Sequence, residues 1–219
     1  MKKGILGGTF NPVHFGHLRA AEEVAESLQL AEVVFMPAAN PPHKDLHCLV
    51  SFSHRYAMLE LAVAENPFFT LSDLERQLSG KSYSVETLTW LASHSPEEEL
   101  LYFIVGLDAF LDLPSWRKYR QLFTLAHFVV VARPGYSHEQ LESMLTAQIS
   151  SDFVYDDHEG KFSHPHYLPV YYRQVTLMDI SSSKIRQLLA SGRSVRYLIP
   201  AAVEAYIYQH ALYGSSGKS

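Results

Sequence analysis

The sequence predicts a doubly wound α/β fold, a parallel sheet with helices on both faces and a small helical part toward the C-terminus. Three observations carry that expectation. Short apolar runs closed by Gly or Pro alternate with stretches whose apolar residues recur at helical spacing. The chain opens on a βα unit joined by a glycine-containing turn. Its runs at Leu100 to Val105 and His127 to Ala132 are apolar almost throughout, as strands buried on both faces of a parallel sheet must be.

Taken in order, Lys3 to Leu6 reads as the first strand, and Leu18, Ala21, Ala25 and Leu28 then make one apolar helix face. Glu32 to Met36, with Val33, Val34 and Phe35, stops at Pro37 and completes a βαβ crossover. His54 to Glu65 is a helical pattern ended near Asn66-Pro67, and Phe69 to Ser72 is a further strand. Tyr83 to Ser93 is helical again. Gly106 closes the strand at Leu100 to Val105, and Arg133-Pro134-Gly135 closes the one at His127 to Ala132. The polar, mixed segment from about Ser150 to His166 reads as a surface loop. Its Asp156, Asp157, His158, Glu159, His164 and His166 match no standard zinc or calcium spacing. Gln174 to Leu177 is the last strand, followed by helices over Ser182 to Ala190 and Ala201 to Leu212. With no repeat or linker, residues 1–213 are expected to form one domain and 214–219 a flexible tail. In such Rossmann-like sheets ligands gather at the carboxyl ends of the strands.

Composition narrows the setting. The net charge is −5 and the basic residues form no run, so a nucleic-acid partner is not expected. The single cysteine, Cys48, permits no intramolecular disulfide and suits a reducing compartment. The N-terminus enters a strand without a basic and apolar leader, and no run reaches the length of a membrane span. A cytoplasmic protein without a membrane partner is the expectation, with monomer or homo-oligomer left open.

The richest segment is Gly7-Gly8-Thr9-Phe10-Asn11-Pro12-Val13-His14-Phe15-Gly16-His17-Leu18. Gly7 and Gly8 would let a ligand approach backbone N–H groups, and the helix that follows points its positive end at the same place, which suits a phosphate. His14 and His17, three apart, would share one face and donate to phosphate oxygens. The turn is not a P-loop, since no Gly-Lys-Ser/Thr follows, and it lacks the three-glycine spacing of a dinucleotide fingerprint. A second anion site is expected at Asp179-Ile180-Ser181-Ser182-Ser183-Lys184-Ile185-Arg186, where serines cap a helix and Arg186 lies one turn on, on the face of Ser182 and Ser183. Pro37-Ala38-Ala39-Asn40-Pro41-Pro42-His43-Lys44 reads as a rigid loop offering donor groups beside the first turn. Asp108, just past Gly106, either accepts from ribose hydroxyls or caps the next helix. Tyr83, in Ser82-Tyr83-Ser84-Val85-Glu86-Thr87, and Trp116, in Pro114-Ser115-Trp116, either stack on a flat ring or fill the core.

Together these motifs resemble the nucleotidylyltransferases, whose signature is a Thr- or His-x-Gly-His turn, here His14-Phe15-Gly16-His17. Within them the chain is similar, from the first turn to Tyr213, to the nicotinate mononucleotide adenylyltransferases. The resemblance implies transfer of AMP from ATP to nicotinate mononucleotide, giving deamido-NAD and pyrophosphate. It implies His14, His17 and Arg186 as catalytic groups. Gly7, Gly8, Thr9, Phe10, Gly106, Asp108, Arg133, Ile180, Ser181, Ser182 and Ser183 would then contact ATP, with Ser183 standing where the family has Thr. Asn40, His43, Lys44, Tyr83, Thr87 and Trp116 would contact the acceptor, whose carboxylate is held largely by backbone N–H groups. Magnesium would arrive with ATP and need no carboxylate cage of its own. Asn11 stands where bacterial members commonly carry Asp, and either residue can bond nearby backbone. Alternatives at this point are transfer to phosphopantetheine or nicotinamide mononucleotide, a non-catalytic nucleotide sensor, and a class I aminoacyl-tRNA synthetase, which the missing anticodon-binding region and the negative charge disfavour.

Overall fold

The computed structural model describes residues 1–41, 49–78, 80–132, 137–176 and 178–214. In chain order the elements are β1 (Lys2–Gly8), α1 (Phe15–Leu28), β2 (Glu32–Pro37), α2 (Phe52–Val63), β3 (Phe69–Leu71), α3 (Leu74–Gln77) and α4 (Ser84–His94). Then come β4 (Leu100–Gly106), α5 (Leu107–Leu111), α6 (Tyr119–Leu125), β5 (His127–Ala132), α7 (His138–Met144) and β6 (Val154–Asp156). The chain closes with β7 (Lys161–Ser163), β8 (Val170–Gln174), α8 (Ser182–Ala190) and α9 (Ala201–Gln209).

Among the described residues the strands form one eight-stranded sheet in the order β3-β2-β1-β4-β5-β8-β7-β6. The first six are parallel, with Ile5 beside Val34 and Phe103, and Phe103 beside Phe128. The period of two divides the side chains of β4 between two cores. Leu101, Phe103 and Val105 face one with Phe110, Phe123 and Phe128, while Tyr102 and Ile104 face the other with Phe35, Met58 and Ile185. Both faces being covered is why β4 and β5 read as unbroken apolar runs. Each fully buried Phe or Leu contributes about 1.5–3 kcal/mol of transfer free energy. Chain order reverses at the centre of the sheet, since β1 lies between β2 and β4. A crevice opens at such a switch point outside the strand ends, and Gly8 and Gly106 end the two strands that flank it.

Three expectations change. Ser150 to His166 is no mere surface loop, because β6 and β7 form an antiparallel hairpin that extends the sheet beyond β8. Tyr155 pairs with Phe162, which is fully buried, and the Asp156 carboxylate accepts from the N–H groups of His158 and Glu159 to make the turn. Three-residue strands around a charged turn show too little alternation to be recognised. The last parallel strand is Val170–Gln174 rather than Gln174 to Leu177, because Val170 and Tyr172 supply the buried positions. The final helix ends at Gln209, and Ala211, Tyr213 and Gly214 then take positive φ in a separate turn. The short helices α3, α5, α6 and α7 are too brief for periodicity to reveal. Among the described residues no helix is long and apolar enough to cross a membrane.

Candidate functional site

The loop between β1 and α1 is shaped by Phe10 more than by the glycines. Gly7 and Gly8 belong to the extended strand, and the left-handed residue is Phe10, at φ 47°. Its ring folds back under Gly8, where an added Cβ would lie 3.0–3.2 Å from three ring carbons. Gly8 is therefore demanded by packing. Phe10 is buried and meets His17 edge-on at 5.0 Å between centroids. His14 stands at the N-cap of α1 and His17 in its first turn, and their rings stack at 3.7 Å. Gly16 makes room for this, since a Cβ there would lie 3.0 Å from His14 Nδ1. The His14 backbone N–H donates to His17 Nδ1 at 3.3 Å, so a neutral His17 carries its proton on Nε2. Burial, and then the neighbouring His14, hold the His17 pKa well below the ordinary imidazole value. At neutral pH His17 is thus an uncharged donor.

The start of α8 is fastened to the same loop. Ser181 caps the helix by accepting from the Lys184 N–H at 3.2 Å, and the Ser182 hydroxyl donates to the Pro12 carbonyl at 2.8 Å. Arg186 donates to the Asn11 carbonyl at 2.8 Å and to the Ser183 hydroxyl at 3.2 Å. The Asn11 side-chain carbonyl accepts from the Tyr213 hydroxyl at 2.8 Å and from the Val50 N–H at 3.4 Å, which explains how Asn serves at this position. Arg55, which the sequence reading missed, is fully buried beneath the loop and donates to the Thr9 carbonyl at 2.9 Å. Its signal was a charge at i of an i, i+3, i+4 buried set with Met58 and Leu59. Tyr213 was likewise missed.

The N-termini of α1 and α8 converge on a cavity of about 820 Å³. Thr9, Phe10, His14, His17, Gly106, Asp108, Ile180, Ser181, Ser182, Ser183 and Arg186 line it. Backbone N–H groups and the positive ends of two helix dipoles suit it to an anion. Asp108 is exposed in the first turn of α5, whose N-cap is Gly106, so its carboxylate does not cap that helix.

A second cavity of about 490 Å³ adjoins the first, sharing Thr9, His17, Val105 and Gly106 with it. Gly7 and Gly8 line this cavity and not the larger one. Tyr83, Thr87 and Trp116 line it too, with Trp116 edge-on to Phe103 at 6.4 Å. Thr87 is buried and its hydroxyl donates to Glu75 Oε1 at 3.0 Å, so that hydroxyl is already engaged within the wall. Burial raises the Glu75 pKa, opposed by Ser82, Thr87, the Ala39 N–H and the Arg55 charge. Asn40 is exposed and fixes the rim from outside, through its N–H to the Ser82 hydroxyl at 2.9 Å and its carbonyl to the Ser82 N–H at 3.0 Å. His43, Lys44 and Arg133 lie outside the described residues. Among the described residues, no three His, Cys, Asp or Glu side chains group as a metal site.

Known proteins resemble this chain over most of its length. A family model described as cytidylyltransferase-like matches residues 5–188. A protein of Geotalea uraniireducens named "probable nicotinate-nucleotide adenylyltransferase" is 50% identical over 216 residues, 99% of this chain and 100% of that one. A protein of the same name from Syntrophotalea carbinolica is 47% identical over 219 residues, all of both chains. In fold, the chain is similar to the Plasmodium falciparum nicotinic acid mononucleotide adenylyltransferase complexed with NaAD, with a TM-score of 0.72 over 97% of each chain at 20% identity.

Proposed function

The chain belongs to the cytidylyltransferase-like family, among its nicotinate-nucleotide adenylyltransferases, and we propose that its two joined cavities divide between them the transfer of AMP from ATP to nicotinate mononucleotide. The products are nicotinate adenine dinucleotide and pyrophosphate, a step of NAD biosynthesis. The observation that carries the assignment is the placement of His17, its ring stacked on that of His14 at 3.7 Å, on the wall common to both cavities.

ATP occupies the larger cavity with its phosphates against the N-termini of α1 and α8, and Asp108 accepts from a ribose hydroxyl. The acceptor ring lies between Tyr83 and Trp116 in the smaller cavity, its 5′-phosphate directed at the shared wall. A phosphate oxygen of the acceptor attacks the α-phosphorus in line, a new P–O bond forms, and the bond to the β-phosphate bridging oxygen breaks to release pyrophosphate. His17 Nε2, His14 and Arg186 donate to oxygens that gain charge as this happens. No side chain becomes covalently adenylylated, so the protein acts by positioning and neutralisation. Nucleotidyltransferases of this family use a divalent metal with ATP, and magnesium entering as Mg-ATP fits a larger cavity whose single acidic lining residue, among those described, is Asp108. His43, Lys44 and Arg133 are assigned to substrate phosphates and ATP by resemblance. Residues 1–213 act as one nucleotidylyltransferase domain, in the cytoplasm.

Incubation of the purified protein with Mg-ATP and nicotinate mononucleotide tests this reading. Equal yields of dinucleotide and pyrophosphate are expected, and binding of ATP without pyrophosphate release would point to a nucleotide sensor instead. With a chiral α-phosphorus, inversion is expected, whereas retention would indicate a histidyl intermediate.

A further inference from the structure

We propose that the Arg117 side chain strengthens, beyond what the backbone N–H groups expected to hold the ring carboxylate supply, the preference of the smaller cavity for an acceptor ring bearing a carboxylate, an assignment that rests on the adenylyl-transfer reading of the site. The chemistry of the wall poses the problem. The cavity contains Glu75, so an entering carboxylate meets a group that can carry the same sign, and His17 brings no compensating charge while neutral. Among the described residues that line it, Arg117 is the sole arginine or lysine.

Its placement suits the role. Arg117 follows Trp116 directly and lays its guanidinium over the Tyr83 ring, 4.9 Å from the centroid, so the cation stands beside both aromatic walls. One nitrogen, Nη1, donates to Glu86 Oε1 at 2.8 Å, with both side chains about half exposed. A pair so open to water is weakly held, and the guanidinium has further donors in its planar fork. It can therefore turn to a ligand carboxylate and make charge-assisted hydrogen bonds that a carboxamide would not match.

The test uses the full chain at saturating Mg-ATP and compares kcat/KM for nicotinate mononucleotide and nicotinamide mononucleotide. Arg117→Met keeps the aliphatic stem against Tyr83 and removes the charge. It is expected to lower kcat/KM for the nicotinate form by roughly tenfold and to leave the nicotinamide form within about twofold. Arg117→Lys should recover most of the ratio, and added salt should narrow it in the wild type but not in Arg117→Met. An unchanged ratio in Arg117→Met, or equal losses on both acceptors, would overturn the assignment. Wild-type protein inactive on both acceptors would overturn the adenylyl-transfer reading and this inference with it.

Discussion

The two cavities meet at His17 and are built in different ways. The larger takes most of its polar tools from two short segments, residues 9–17 and 180–186, each a loop running into a helix N-terminus, and cross-links them through Ser182 to Pro12 and Arg186 to Asn11. The smaller is gathered from the end of β1, the loop after β2, α3, the start of α4 and the turn before α6, and most of its lining is apolar or aromatic. On the proposed reading the difference follows from the ligands. A triphosphate is met by oriented N–H groups and cations, which a helix start supplies locally, whereas a flat ring needs walls that only tertiary packing can bring face to face.

Variants in each cavity should separate the two roles. The largest effect is expected for His17→Ala, which removes the proposed donor to the transferring phosphate and should lower kcat by about 10²–10³-fold with any acceptor, read as pyrophosphate release. Wild-type turnover in this variant would break the assignment of the shared wall. Gly16→Ala places a Cβ against the His14 ring and should reduce kcat by about tenfold, without changing the KM for the acceptor. Thr87→Val, on the other side, removes the hydroxyl that donates to Glu75 Oε1. It should cost about 1–2 kcal/mol of stability in denaturant titration and raise the KM for the acceptor while sparing that for ATP. A rise confined to ATP would merge the two cavities into one functional unit.

The smallest effects lie in the pH dependence of stability, where burial acts on the two cavities with opposite sign. His17 has its folded pKa depressed, so the unfolded chain binds the proton first and this contribution is lost as pH falls below about 6.5. Glu75 has its folded pKa raised, so the unfolded chain releases its proton first and its contribution falls as pH rises above about 4.5. Denaturant titrations across pH 4–8 should show Glu75→Gln flattening the second slope and His17→Phe the first. Interchanged effects would contradict the burial argument.

The same contrast governs what the sequence disclosed. The parallel core was legible because β4 and β5, covered on both faces, carry apolar residues at nearly every position. The β6–β7 hairpin was not, since Phe162 alone of its six strand residues is buried and the rest read as a polar loop. The larger cavity was legible because His14, Gly16, His17, Ser181 to Ser183 and Arg186 are close in sequence to the helix starts they serve. Its supports were hidden, because Arg55 and Tyr213 reach the 9–13 loop across 46 and 202 residues of chain. The role of Gly8 depended on where Phe10 turns its ring, and the engagement of Thr87 on α3, a helix of four residues that no periodicity reveals.

The most direct test of the central claim is pyrophosphate release by the wild-type protein with Mg-ATP and, in turn, nicotinate mononucleotide, nicotinamide mononucleotide and phosphopantetheine. A phosphate site joined to an aromatic-walled acceptor cavity predicts the highest kcat/KM with nicotinate mononucleotide, less with the nicotinamide form and least with phosphopantetheine, which has no flat ring. Equal activity on all three would contradict the division of the site into two cavities with separate tasks.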